Sequence, residues 1–220
     1  MKVNIYLPQS LSEITLKEYK EYDKIILSNK DDANSERFVN LKMLEIFCGV
    51  NYEMAKQMPL KQFNTIIQHL NSLLYSTPEL VTKFKMGDTE FGFIPSLEDI
   101  TFGEYIDLDT FLGDVQNLEK AMAVLYRPVT ATHKDKYDIQ EYDSDLFQEA
   151  MLQMPLDAVI SSVVFFWNLG LELSNAMMNS LQEENPVLRT VVDLPTNGVG
   201  LKAYINLLKV TLEDSEKLQN

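Results

Sequence analysis

One phrase is written twice in this chain, and any fold must honour it at both places. SLSEITLKEY at residues 10–19 returns as SLEDITFGEY at 96–105; Ser10 to Ser96 and Tyr19 to Tyr105 each span 86 positions. The centre of the phrase, Ile-Thr-x-x-Glu, is a helix start. Thr15 and Thr101 stand as N-caps whose hydroxyl oxygen accepts the amide three residues on. Glu18 and Glu104 reach back to the cap amide, which completes a capping box. Ile14 and Ile100 precede the caps where a hydrophobic staple would sit. Both phrases follow a short strand-like run ended by proline, NIYLPQS (4–10) and FGFIPS (91–96), because proline cannot donate to a ladder. Capping grammar accounts for the Thr and the Glu. It leaves the shared Ser-Leu and Tyr unexplained.

A second match runs in the same order. Gln-Met-Pro-Leu occurs at 57–60 and at 153–156, so Gln57 to Gln153 spans 96 positions. An insertion of 10 residues in the second half reconciles that spacing with 86, and the polar stretch HKDKYDIQEYDSDL (133–146) lies in the right place. Between the matched blocks each half carries an apolar helical stretch, FVNLKMLEIFCGV (38–50) and VQNLEKAMAVLYRPV (115–129). Chance could supply one four-letter match; two collinear ones favour internal duplication. The expected fold is mainly α (α+β), two duplicated helical units with a small β-hairpin or sheet between them. The first unit is 1–86 with an N-terminal strand. The second is 87–185 with the hairpin and the polar insertion 133–146. A C-terminal extension, 186–220, ends in a last helix, and the whole could form one compact domain.

Local signals fill in the elements. Helices are expected over about 15–28, 35–48 (stopped at Gly49) and 59–75, the last with Leu60, Phe63, Ile66, Ile67, Leu70, Leu73 and Leu74 at 3/4 spacing. Pro59 and Pro155 suit a first helical turn, where a missing N–H does no harm. The helix from 155 to about 184 is apolar nearly all round in its first half, which predicts a central, protein-surrounded helix. Lys83–Met86 and Glu90–Ile94 alternate around Gly87-Asp88 and read as a hairpin, to which Val3–Leu7 could add. Lys120–Tyr126, closed by Arg127-Pro128, reads as a helix with Arg127 in a dipole and packing role at its C-terminal end, an exposed contact residue being the alternative. Beyond Pro186 come VLRTVVDL, as strand or helix, the loop PTNGVG and a helix near 199–217. More than half the chain should be helical.

Composition narrows the function. The chain carries 33 acidic residues against 19 Lys and Arg, a formal charge of −14, with no cationic run to displace counterions from a phosphate backbone. Direct nucleic-acid binding is therefore not expected. A basic or amphipathic protein partner is. The most apolar stretch, AVISSVVFFWNLGL (158–171), is 14 residues long, short of the roughly 20 a membrane span needs, so a soluble chain without a membrane role is expected. The single Cys48 permits no disulfide within the chain and suits a reducing compartment.

Catalytic chemistry is thin. His69 falls in an amphipathic helix and His133 in the polar insertion, neither at metal-ligand spacing. Cys48 in EIFCGV reads as a small core residue rather than a nucleophile. Asp107 and Asp109 lack the sixth-position Gly and twelfth-position Glu of a calcium loop and read as an acidic cap or surface. PTNGVGLKAY (195–204) lacks phosphate-loop spacing and reads as a helix-entry turn. Glu183 and Glu184 should be solvated. Met177 and Met178 offer flexible side chains to a core or a partner groove. No catalytic, cofactor-binding or metal residue is assigned, no cofactor is expected, and the partner-binding residues stay unknown.

The segment EFGFIPSLEDITFGEYIDLDTFLGDVQNLEKAMAVLYRPVT (90–130), with SLSEITLKEYKEY near the start and QMPLDAVISSVVFFWNLG later, resembles a family of small proteins encoded by tailed bacteriophages, including crAss-like phages of gut Bacteroidales. The resemblance covers most of residues 1–175, with GEYIDLD and KAMAVLYRP as its most specific phrases, and carries no functional residue. It implies a non-enzymatic structural or assembly protein acting by protein–protein binding within the virion: a tail or connector component, a packaged internal protein, or a tail-assembly chaperone. The expected partners are other phage virion or tail proteins, and a homo-oligomer is also compatible. The expected location is the host cytoplasm during assembly, or the virion itself. The alternative is an acidic phage inhibitor, a DNA mimic of a host nucleic-acid-binding protein.

Overall fold

Helix starts and a two-residue turn organise the molecule. The computed structural model describes residues 5–30, 35–134, 136–144 and 146–184, with side chains as far as residue 171. Among them are eight α-helices: α1 (Leu16–Ser28), α2 (Glu36–Cys48), α3 (Tyr52–Lys56), α4 (Leu60–Leu74), α5 (Phe102–Phe111), α6 (Leu118–Leu125), α7 (Gln148–Met151) and α8 (Leu156–Glu184). One antiparallel sheet holds β1 (Lys83–Met86), β2 (Thr89–Phe93), β3 (Tyr126–His133) and β4 (Lys136–Ile139) in that order. Helix covers 56% of the described residues, so the chain is α+β and mainly helical.

Both capping boxes form as their residues dictate. Thr15 caps α1 with Glu18 closing the box, and Thr101 caps α5 with Glu104. Helix α2 stops at Gly49, and α4 and α8 begin one residue after their prolines. The β1–β2 hairpin turns at Gly87-Asp88 with Met86 paired to Thr89; Gly87 has φ +57°, a left-handed value that favours glycine.

Three expectations are corrected. Residues 5–8 form no strand; Pro8 instead offers its carbonyl to His69 Nε2 at 2.8 Å, and the remainder of that expected strand lies outside the described residues. The helix expected through Tyr126 ends at Leu125, where the chain passes directly into β3. Arg127 and Pro128 are therefore strand residues, opposite Gly92 and Phe91, and the run Val-Thr-Ala-Thr that follows favours a pleated surface. Arg127 does not complement a helix dipole; it is buried against Glu104. The polar stretch 133–146 carries structure of its own, since its first residues help build the β3–β4 hairpin.

The core sits where helices from both halves meet the sheet. Leu16, Leu44, Leu70, Met122, Leu125, Met151, Met154 and Leu156 are all but sealed from solvent, and each buried aliphatic side chain of this size contributes roughly 1.5–3 kcal/mol. The Tyr126 hydroxyl donates to Val81 O at 2.7 Å. Phe93 packs edge-on to Tyr126 and Phe165, linking sheet to α8. Along α8, Leu156, Ala158, Val159, Ser161 and Ser162 are enclosed, 163–169 are half-buried or exposed, and Gly170 is buried again. Gly92 lets the sheet close: a Cβ there would stand 2.5 Å from the Tyr137 ring, whose hydroxyl donates to Phe93 O at 2.7 Å. Among the described residues no helix is long and apolar enough to cross a membrane. The side chains of Met177, Met178, Glu183 and Glu184, and everything expected beyond Pro186, lie outside the described residues.

Candidate functional site

The first copy of the repeated phrase is locked to the second copy of Gln-Met-Pro-Leu. Thr15 pairs with Pro155 as an isolated antiparallel bridge. Leu16 N–H donates to Met154 O at 3.0 Å, Lys17 N–H to Leu152 O at 2.8 Å, and Leu156 N–H to Ile14 O at 2.9 Å. First-turn amides have no partner inside their own helix. Here the starts of α1 and α8 supply each other with carbonyls. Leu16, Met154 and Leu156 are 0% exposed and Ile14 is 1% exposed, so the apolar side chains at the joint are closed to solvent.

The other two copies have the same local structure and no such joint. Thr101 N–H donates to Glu104 Oε2 at 2.7 Å and Glu104 N–H to Thr101 Oγ1 at 3.3 Å; the matching bonds at Thr15 and Glu18 are 2.8 and 3.2 Å. Before α4, Gln57 N–H donates to Met54 O, Met58 N–H to Ala55 O and Phe63 N–H to Pro59 O. Before α8 the same turn is drawn by Gln153 to Ala150, Met154 to Met151 and Val159 to Pro155. Yet among the described residues no hydrogen bond joins 101–103 to 56–60.

Exposure follows that difference. Phe102, at the position of Leu16, is 77% exposed, and Leu60, at the position of Leu156, is 73% exposed. These are the two largest exposures among the large apolar side chains described. Tyr105 and Ile106 extend the apolar surface along α5, whereas their counterparts Tyr19 and Lys20 are half-buried and buried. Tyr52, one helix before Leu60, is also exposed.

Buried charge ties the phrases to the rest of the fold. Arg127 Nη2 lies 2.7 Å from Glu104 Oε1, and the Arg127 guanidinium carbon stands 5.9 Å from the centroid of the Tyr142 ring. Tyr142 donates its hydroxyl to Asp107. Burial, then this bond and the Asp107 charge, push the Tyr142 hydroxyl well above its ordinary range. In the first half Lys20 pairs with Glu119, and Gln116 Nε2 donates to Asp23 Oδ2 at 2.7 Å. Burial raises the Asp23 carboxyl, partly offset by that bond.

The chemistry-bearing residues are scattered. Cys48 is buried and its thiol is pushed up to about 11 by burial, which leaves it protonated at neutral pH. His69 is half-buried on α4, and His133 is exposed with its Nε2 3.6 Å from Asp138. Asp107 is engaged by Tyr142 and Asp109 is exposed on α5. Among the described residues no group of three His, Cys, Asp or Glu could hold a metal ion. Sequence reasoning set Leu60 on the apolar stripe of its helix, where it lies exposed instead, and overlooked Phe102, Tyr105 and Ile106. The repeat itself marks the first two, since it sets them opposite Leu156 and Leu16, but exposure is not written in a letter. No family model, no curated protein and no solved structure matches this chain.

Proposed function

We propose that this chain is a non-enzymatic bacteriophage structural or assembly protein, internally duplicated, that acts by binding other proteins of the virion as a tail or connector component, a packaged internal protein or a tail-assembly chaperone. The observation that carries protein binding is the exposure of two apolar helix starts, Leu60 on α4 and Phe102 on α5, the latter continued along its helix by Tyr105 and Ile106. Contiguous exposed apolar side chains, as along α5, mark contact surfaces. The phage assignment rests on the resemblance of residues 90–130 to the phage family. Mass spectrometry of purified particles, together with capture by the tagged chain from infected cells, tests it. A stoichiometric band places the chain in the particle, and capture of a virion protein without such a band places it in assembly. Neither band nor capture rejects the reading. A second reading, an acidic inhibitor of a host nucleic-acid-binding protein, draws on the charge of −14. It requires salt-sensitive competition with DNA for that host factor.

A further inference from the structure

The two exposed helix starts are the separated halves of a joint that the chain has already built once. On one side Thr15-Leu16 meets Pro155-Leu156 through three backbone hydrogen bonds and complete burial of both leucines. The residues at corresponding positions are Thr101-Phe102 and Pro59-Leu60. They have the same capping box, the same turn hydrogen bonds and the same apolar character, and they are not joined to each other among the described residues.

We infer that Thr101-Phe102 of one copy of this chain docks onto Pro59-Leu60 of a second copy, repeating between chains the joint seen within one. The inference deepens the proposed protein-binding role by naming one partner, and it rests on the duplication offered there. By correspondence Phe102 N–H would donate to Met58 O, Gly103 N–H to Lys56 O, and Leu60 N–H to Ile100 O. Charge is matched across the contact. Glu98, Asp99 and Asp109 are exposed around the start and along α5, while Lys56 and Lys61 are exposed around the start of α4, with Glu53 the acid on that side. Each chain holds one half of each kind, so a contact between two copies leaves two halves free. Either those two meet reciprocally and close a dimer, or they recruit further copies into a ring or filament.

The test uses the full chain, purified alone, in native mass spectrometry and light scattering over a concentration series. Wild type is expected to form dimers or larger assemblies. F102D and L60K each remove one half at an exposed position; each should keep the wild-type circular dichroism and melting temperature and weaken self-association by roughly 10- to 100-fold, the loss expected for one large apolar contact. Mixing the two variants is the decisive arm. F102D retains an intact Leu60 half and L60K an intact Phe102 half, so the mixture should form a one-to-one heterodimer and nothing larger. A wild-type chain that stays monomeric at every concentration overturns the inference. So do single variants that assemble like wild type, or a mixture that stays monomeric. Because no phage component is present, a monomeric chain that still captures virion proteins sinks this inference alone; an assembling chain that captures none sinks the virion role alone.

Discussion

Glu104 uses its two oxygens for two different elements. Oε1 lies 2.7 Å from Arg127 Nη2 on β3, and Oε2 accepts the Thr101 amide at 2.7 Å at the start of α5. One carboxylate thus completes a capping box and pins a helix start to the sheet, with both side chains almost closed to water.

Removing one partner of that pair should be worse than removing both. A lone buried charge costs about 3–5 kcal/mol, whereas replacing both members by uncharged groups of similar volume is often nearly neutral. Glu104→Gln and Arg127→Met are each expected to lower unfolding free energy by about that amount in urea titrations. The double variant should recover a large part of it. Strictly additive losses would mean that the two side chains do not act as a pair.

The matched leucines give a second contrast. Leu156→Ala empties a fully buried site and should cost about 2–5 kcal/mol. Leu60→Ala, at the corresponding but 73% exposed position, should stay within about 0.5 kcal/mol in dilute solution. Equal losses at the two sites, read from denaturation midpoints, would contradict the difference in burial between Leu156 and Leu60.

Alkaline pH should destabilise the fold before it ionises Cys48 or Tyr19 within it. Burial raises the Cys48 thiol from 9.0 to about 11, and burial with the Asp23 charge raises the Tyr19 hydroxyl from 10.0 to about 12. Both groups hold their protons more tightly folded than unfolded. Their contribution is whole below the unfolded values, and it is lost as pH rises from 9 to about 11 for Cys48 and from 10 to about 12 for Tyr19. Urea midpoints should fall across that window, and Cys48→Ala should remove the first part of the fall. A midpoint that stays flat through it would refute the assignment.

Letters that act through local chemistry were legible from sequence. Thr15, Glu18, Thr101 and Glu104 announce two helix starts, Gly87-Asp88 a tight turn, and the spacing Phe63-Ile66-Ile67-Leu70 a helix, and each forms as read. Arg127 was misread because a local rule, cation near a helix end, competed with a long-range one. Its partner Glu104 lies 23 positions away, and Phe91 and Gly92 draw its segment into the sheet. Ile5 and Leu7 alternate as a strand would, but alternation supplies no neighbour, and none pairs with them among the described residues. The candidate site was half visible. The repeat singles out Leu16 with Phe102 and Leu60 with Leu156, while the choice of which copy is covered depends on how the halves pack.

Amide hydrogen exchange, followed residue by residue as the concentration of the full chain is raised, tests the central claim most directly. In dilute solution the amides of Leu16, Lys17 and Leu156, bonded across the internal joint, should exchange slowly, and those of Phe102, Gly103 and Leu60 quickly. At high concentration the second set should become protected in parallel with growth in particle mass, while the first set stays unchanged. Fast exchange at Phe102, Gly103 and Leu60 at every concentration would contradict the account.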